Sequence, residues 1–350
     1  MLLDAGDLGV HTGTQEIMKA VPNDSKRPAE WIAQYIKHFS LPLKNNGAID
    51  YALLTHFDTD HIGQNGKLAI EKVGLDYKLT GITHVGNLLD ISTLIDRGYP
   101  TYDYPTAAKV TGAHISNYKL YVAARDREGK KNEGFVTGSN TQIKLLKAPG
   151  SYPTFEVGNG KIWTGSGTTS KELVPSTASS SEQLNENRCS CGIRITYGNF
   201  DYFSGGDILG VEKAPEWFDI ETPVATLLGE TDVVVANHHA YSDAMCDTYI
   251  SQVKAQAYVI PVWDYYHPQP APLSRMLSQS LYAGERSVFA AGMVDSNRSR
   301  LGEDGLKIKP AGHVVTRVYP GGEKFQIFVL NDRNEAYEIL YKTGEIKSNN

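Results

Sequence analysis

Three hundred and fifty residues, 41% of them hydrophobic, can bury a large core, and the length fits one large α/β domain or two ordinary ones. Thirty-four basic residues stand against 40 acidic ones for a net charge of −6, without a basic block, which argues against tight sequence-independent nucleic-acid binding. No apolar run approaches the roughly 20 residues of a membrane helix, and cysteines at 189, 191 and 246 have neither disulfide-framework nor zinc-ribbon spacing.

The chain opens on "MLLDAG", an apolar strand end running into a turn with no preceding partner. That start fits a chain lacking its first N-terminal strand and leaves a removed targeting segment open, while the cysteine usage favours the cytoplasm. Residues 28–39, "PAEWIAQYIKHF", set Trp31, Ile32, Tyr35, Ile36 and Phe39 on one helical stripe with Pro28 in the first turn, so an amphipathic helix on a sheet is expected. "AIDYALLTH" (48–56) reads as a buried strand whose C-terminal end delivers His56, and open α/β sheets gather their chemistry at such ends.

Residues 67–73 and 88–97 read as helical, and "HISNYKLYVAA" (114–124) as a strand or a strand-helix junction. The polar stretches 126–140 and 164–187 read as loops. Strands are expected at 143–147, 155–163, "CGIRITYG" (191–198) and "FDYFSGGD" (200–207), the last two joined by a tight turn at Gly198 and Asn199. Cys189 and Cys191 are then buried or half-buried thiols. "DVVVAN" (232–237) and "AYVIPVW" (257–263) are further strands, and 313–331 is a hairpin turning at Pro320, Gly321 and Gly322. With no internal repeat and no clean linker, residues 1–350 are read as a single domain.

The stretch "LLTHFDTDHIGQ" (53–64) concentrates His56, Asp58, Asp60 and His61 into six positions directly after an apolar strand. Metal coordination needs several lone pairs converging on one point, and a tight loop on a rigid strand supplies them at low conformational cost. The spacing lets His56 and Asp58 face one ion and Asp60 and His61 another. "FSGGD" delivers Asp207 after two glycines, and "VVVANHH" delivers His238 and His239. Together these residues would complete a two-ion site with Asp207 bridging.

"LLDAG", "THFDTDHIG", "YFSGGD" and "ANHHAYSD", in that order, resemble the metallo-β-lactamase fold, an αββα four-layer sandwich with a metal site at one edge of its sheets. The usual loop there is H-x-H-x-D-H. Asp58 in place of the second histidine resembles the C-terminal domain of the DNA-uptake competence protein ComEC, as do "NEN" (185–187), "NHHA" in place of HHG, and "YYHP" (265–268) in place of a GHP turn. The likeness leaves residues 98–140 unmatched, as an insertion. It also departs from the family: "KIWTGSG" (161–167) stands where many members place a histidine, with His84 and His114 as possible substitutes, and Ala240 adds a methyl group at a ligand-bearing turn.

The resemblance implies a metal-dependent hydrolase, with a phosphodiesterase or nuclease as the leading reading. His56, Asp58, Asp60, His61, Asp207, His238 and His239 are the expected ligands, with the choice between His238 and His239 open. Asp60 also orients a metal-bridging hydroxide, His267 is the second expected catalytic residue, and Asn187, His239 and His267 contact the substrate. Two divalent ions are implied, manganese or zinc, because aspartate oxygens are harder donors than imidazole nitrogens. The substrate is then a phosphodiester, DNA included, or another small hydrolysable molecule. The rival readings are a hydrolase of a small ester, lactone or phosphorylcholine-type substrate, and a non-catalytic binding protein with a degenerate metal site.

Overall fold

In the computed structural model, which describes residues 1–8, 16–103, 110–146, 154–158, 160–173, 186–211 and 216–349, two compact units are each assembled from separated stretches of chain. The first takes Met1–Gly13, Lys19–Phe135 and Ser176–Cys191; the second takes Thr14–Met18, Val136–Pro175 and Gly192–Asn350.

The first unit is built on four parallel strands in the order β1 (Leu2–Leu3), β2 (Ile49–Leu53), β3 (Ile91–Asp96) and β4 (Lys131–Gly134). Parallel neighbours need long crossovers. Helices α1 (Pro28–Ser40), α2 (Thr59–Ile62), α3 (Gly81–Leu88) and α4 (Ala113–Arg127) lie within those connections. Ala52, Leu54, Phe57, Ile82, Val85, Ile91 and Leu94 form the core with Tyr118, Tyr121 and Val122 of α4. On α1, Glu30 accepts the Arg27 amide at 2.8 Å and Pro28 starts the first turn, as its sequence suggests. The helix buries Ala29, Trp31 and Ala33 most deeply, with Ile32 and Ile36 beside them, and Phe39 is left 45% exposed in the last turn.

Four sequence readings are corrected here. Residues 88–97 hold the strand β3, two residues after α3 ends, and the apolar run belongs to a strand hydrogen-bonded on both sides. Residues 114–124 are helical: Ile115, Tyr118, Val122 and Arg125 are buried at three- and four-residue steps, so the β-branched and aromatic content reflects burial rather than extension. Residues 67–73 form turns and a bridge between Ile70 and Leu79, with no helix. The segment read as a loop at 126–140 contains the end of α4 and all of β4.

The second unit carries a six-stranded sheet in the order β12-β11-β10-β9-β8-β5. Here β5 is Thr154–Gly158, β8 Cys191–Tyr197, β9 Phe200–Ser204, β10 Val233–Val235, β11 Ala257–Ile260 and β12 Ser287–Ala290. The hairpin β8–β9 is antiparallel and turns at Gly198 and Asn199, and β9 through β12 run parallel. Alternation along the strands divides the core. Phe203, Val234 and Tyr258 pack against α5 (Glu221–Leu228), α6 (Asp247–Val253), α7 (Pro270–Leu277) and α8 (Asp295–Gly305). Phe200, Val233, Ala257 and Phe289 pack against Phe325, Ile327 and Val329. The latter belong to a final antiparallel sheet of β13 (His313–Val318), β14 (Lys324–Leu330), β15 (Ile339–Lys342) and β16 (Ile346–Lys347), whose first hairpin turns at the expected glycines.

Residues 155–163, read as one strand, supply β5 and then β6 (Lys161–Trp163), which pairs with β7 (Ser170–Glu172) inside the stretch read as a loop. Residues 143–146 are not a strand, and position 147 lies outside the described residues, as does most of 174–187. Both units are α/β, and the second stacks helices, sheet and sheet. Among the described residues no helix is long and apolar enough to cross a membrane.

Candidate metal centre

In the first unit the chemistry hangs on Asp4, just beyond β1. Its carboxylate accepts the Thr55 amide at 2.7 Å, the Thr55 hydroxyl at 2.7 Å and His61 Nδ1 at 2.8 Å. Thr55 Oγ1 lies 3.0 Å from His56 Nδ1, and Ser190 Oγ is 3.3 Å from the same nitrogen. With both Nδ1 atoms engaged, Nε2 of His56 stands 3.7 Å from Asp58 Oδ2, and Nε2 of His61 stands 3.6 Å from Asp60 Oδ2. The two rings are 4.0 Å apart, centroid to centroid.

Local chain geometry brings these four residues together. Asp58 begins the single turn of α2, its carbonyl accepting from the amides of His61 and Ile62 at 3.0 Å each, which places Asp60 and His61 on that turn. Gly6 packs against it so closely that a Cβ there would meet the Asp60 carbonyl oxygen at 1.7 Å. The other flank is held by a buried ion pair: Arg97 Nε and Nη2 donate to Glu186 at 2.6 and 2.5 Å, and Glu186 also accepts the Phe57 amide at 3.0 Å. Asn187, next in the same short 3₁₀ turn, is buried. Cys189 and Cys191 are free and fully buried; burial pushes the Cys189 thiol up to about 12 and that of Cys191 well above its usual range.

In the second unit Asp207 follows β9 after Gly205 and Gly206, and its Oδ2 lies 3.3 Å from His239 Nε2. His239 Nδ1 donates to the Pro261 carbonyl at 3.1 Å. His238 faces elsewhere, its Nδ1 2.6 Å from Asp243. His238, His239 and Ala240 have φ of 44°, 52° and 56°, so all three sit where a Cβ is disfavoured. His267 is buried, stacks on His239 with centroids 4.7 Å apart, and holds Nδ1 3.2 Å from Asp264.

The possible substitutes for the missing histidine lie on helices of the first unit. His84 is buried in α3, and His114 sits in the first turn of α4 with its ring against Gly112. Sequence reasoning gave no role to Asp4, Thr55, Ser190, Glu186, Asp243 or Asp264. Asp243 and Asp264 lie five and three residues from the histidines they reach, His238 and His267, close enough in sequence for a carboxylate to meet an imidazole.

No family model matches the chain, and no curated protein matches it. Among solved structures, the chain is similar to the metallo-beta-lactamase fold protein YhfI from Bacillus subtilis at 10% identity, over 83% of this chain and 95% of that one, with a TM-score of 0.37. It is also similar to Zn(2+)-bound PqqB from Methylobacterium extorquens at 12% identity, over 60% and 61% of the two chains, with a TM-score of 0.29.

Proposed function

We propose that the chain is a metal-dependent hydrolase with the four-layer fold of the metallo-β-lactamases, acting on phosphodiesters, and that its metal ligands include Asp60 and His61 in the first unit and Asp207 and His239 in the second. The orientation of the imidazoles carries this reading. His61 is held at Nδ1 by Asp4 and His239 by the Pro261 carbonyl, so the lone pair of each Nε2 is turned toward a carboxylate oxygen, at 3.6 and 3.3 Å. Two acceptors at that separation suit a shared cation, and an imidazole anchored through its other nitrogen is the usual form of a histidine ligand. The donor set therefore fits divalent ions.

His56 and Asp58 form a further pair of this kind within the first unit, which supports more than one bound ion per chain. The oxygen-rich donors favour manganese, with zinc as the other candidate. When bound, such ions supply Lewis acidity and lower the pKa of water toward neutrality. Asp60 orients the attacking water. His267, with Nδ1 on Asp264, presents Nε2 either to bind a phosphate oxygen or to protonate the leaving oxygen, and Asn187 and His239 are further substrate contacts. His238, held by Asp243, supports the turn and is the alternative ligand.

The test restores manganese or zinc to metal-stripped protein and offers bis(p-nitrophenyl) phosphate, single-stranded DNA, lactones and a β-lactam. Phosphodiester turnover, faster with manganese, is expected, together with loss of both metal and turnover in the double variant Asp60→Ala, His61→Ala. Turnover of lactones or β-lactams alone would reject the phosphodiesterase, and a double variant that kept metal and activity would reject the site.

A further inference from the structure

A run of three non-glycine residues in the left-handed region persists only where the surroundings over-determine it. Glu221, the first residue of α5, is fully buried one helix away in sequence from that run. Its Oε1 accepts the Asn237 side-chain amide and the Met245 backbone amide, and its Oε2 accepts the Cys246 amide, each at 2.7 Å. One carboxylate therefore ties together both ends of the segment 237–246, which contains His238, His239 and Asp243.

The same frame reaches the Asp207 loop. The amides of Ile220 and Glu221 donate to the Leu209 carbonyl at 2.8 and 3.0 Å, and the Gly210 amide donates to the Asp243 carbonyl at 2.8 Å. Two glycines leave room for the network. A Cβ at Gly210 would fall 2.0 Å from Glu221 Oε2, and one at Gly205 would fall 2.6 Å from Asn237 Oδ1. Burial raises the pKa of Glu221, and the three N–H donors oppose that rise by favouring the carboxylate.

We propose that Glu221 is a positioning residue: its carboxylate fixes the left-handed turn at His238, His239 and Ala240 and, through Gly210 and Asp243, the Asp207 loop, so that His239 Nε2 meets Asp207. Its meaning for metal binding rests on the function proposed above, whereas its hold on the backbone does not.

Two variants of the full chain test this by different routes. Glu221→Gln keeps the volume and turns an N–H₂ group toward N–H donors. Gly210→Ala retains the carboxylate but pushes it out of position with a methyl group. By hydrogen exchange, amides of 237–246 should exchange roughly tenfold faster or more in both, as expected for losing a charge-assisted hydrogen bond, while β9, β10 and β11 keep wild-type protection. By calorimetry, affinity for Mn²⁺ should fall roughly 10–100-fold, the usual effect of losing a group that orients a ligand. Wild-type exchange in both variants would overturn the proposal, and so would a uniform loss of protection across the sheet, which would make Glu221 an ordinary element of the fold. Faster exchange with unchanged Mn²⁺ affinity would overturn the link to the ligands. A wild-type chain that binds no Mn²⁺ would reject the hydrolase reading, and the exchange data would still decide whether Glu221 holds the turn.

Discussion

Gly6→Ala should dislodge the Asp60–His61 turn without touching a ligand. The added Cβ would lie 1.7 Å from the Asp60 oxygen, 2.3 Å from its carbonyl carbon and 3.0 Å from its Cα, all backbone atoms. A methyl carbon and a carbonyl oxygen rest well beyond 3 Å, so the two segments must part by about 1.5 Å. Neither yields freely, because the Ala5 amide donates to the His61 carbonyl at 2.9 Å and the Gln64 amide to the Asp7 carbonyl at 2.7 Å. Overpacking costs about 1–3 kcal/mol and a lost backbone hydrogen bond about 1 kcal/mol more, so the first unit should lose about 2–4 kcal/mol. A shift of that size also exceeds the tolerance of about 0.5 Å for a preorganised site, and Mn²⁺ affinity should drop roughly tenfold or more. Urea unfolding followed by hydrogen exchange at 49–62, with Mn²⁺ calorimetry alongside, measures both effects. A wild-type unfolding midpoint together with wild-type affinity would refute the claim that this backbone contact positions the turn.

His84 gives a pH signature. Burial lowers its pKa, so the folded unit keeps the ring neutral while the unfolded chain takes up a proton near pH 6.5. Its contribution is therefore complete above that pH and is lost as pH falls from about 6.5 toward the folded pKa. His84→Gln should flatten the decline in urea midpoint between about pH 7.5 and 5.5, and equal declines in both proteins would remove His84 as its source. His267→Ala should leave metal content unchanged and lower kcat by roughly 10²–10⁴-fold. A loss of metal in that variant would make His267 a ligand, and a much smaller kinetic loss would make it structural.

The elements read correctly from sequence are those whose signals are local. The β8–β9 hairpin announces itself through alternation around Gly198 and Asn199, and α1 through Pro28 and its apolar spacing. Helix α4 was misread because Ile115, Tyr118, Tyr121 and Val122 favour strands by composition, although their three- and four-residue steps are helical. Strand β3 was misread because α3 stops only two residues before it. At the site, the ligand-type side chains were visible as motifs, whereas their supports were not. Thr55 meets Asp4 across 51 positions, and Phe57 meets Glu186 across 129. Such pairings are set by strand order, which a single sequence does not display.

The interleaved course of the chain has a consequence for synthesis. When residue 135 has been made, all four strands of the first unit exist, but Glu186 and Ser190 do not. Until they emerge, the buried Arg97 guanidinium lacks its Glu186 partner, and His56 lacks the Ser190 hydroxyl beside it. At about 5–20 residues per second the ribosome needs roughly 3–11 s to reach position 191. Over that interval the nascent first unit must keep Arg97 hydrated or hold it without its Glu186 ion pair, and breaking a buried pair by removing one partner costs several kcal/mol. The ligand-bearing loop is therefore completed late in translation, and a single cut between residues 135 and 176 would place Arg97 and Glu186 on different fragments.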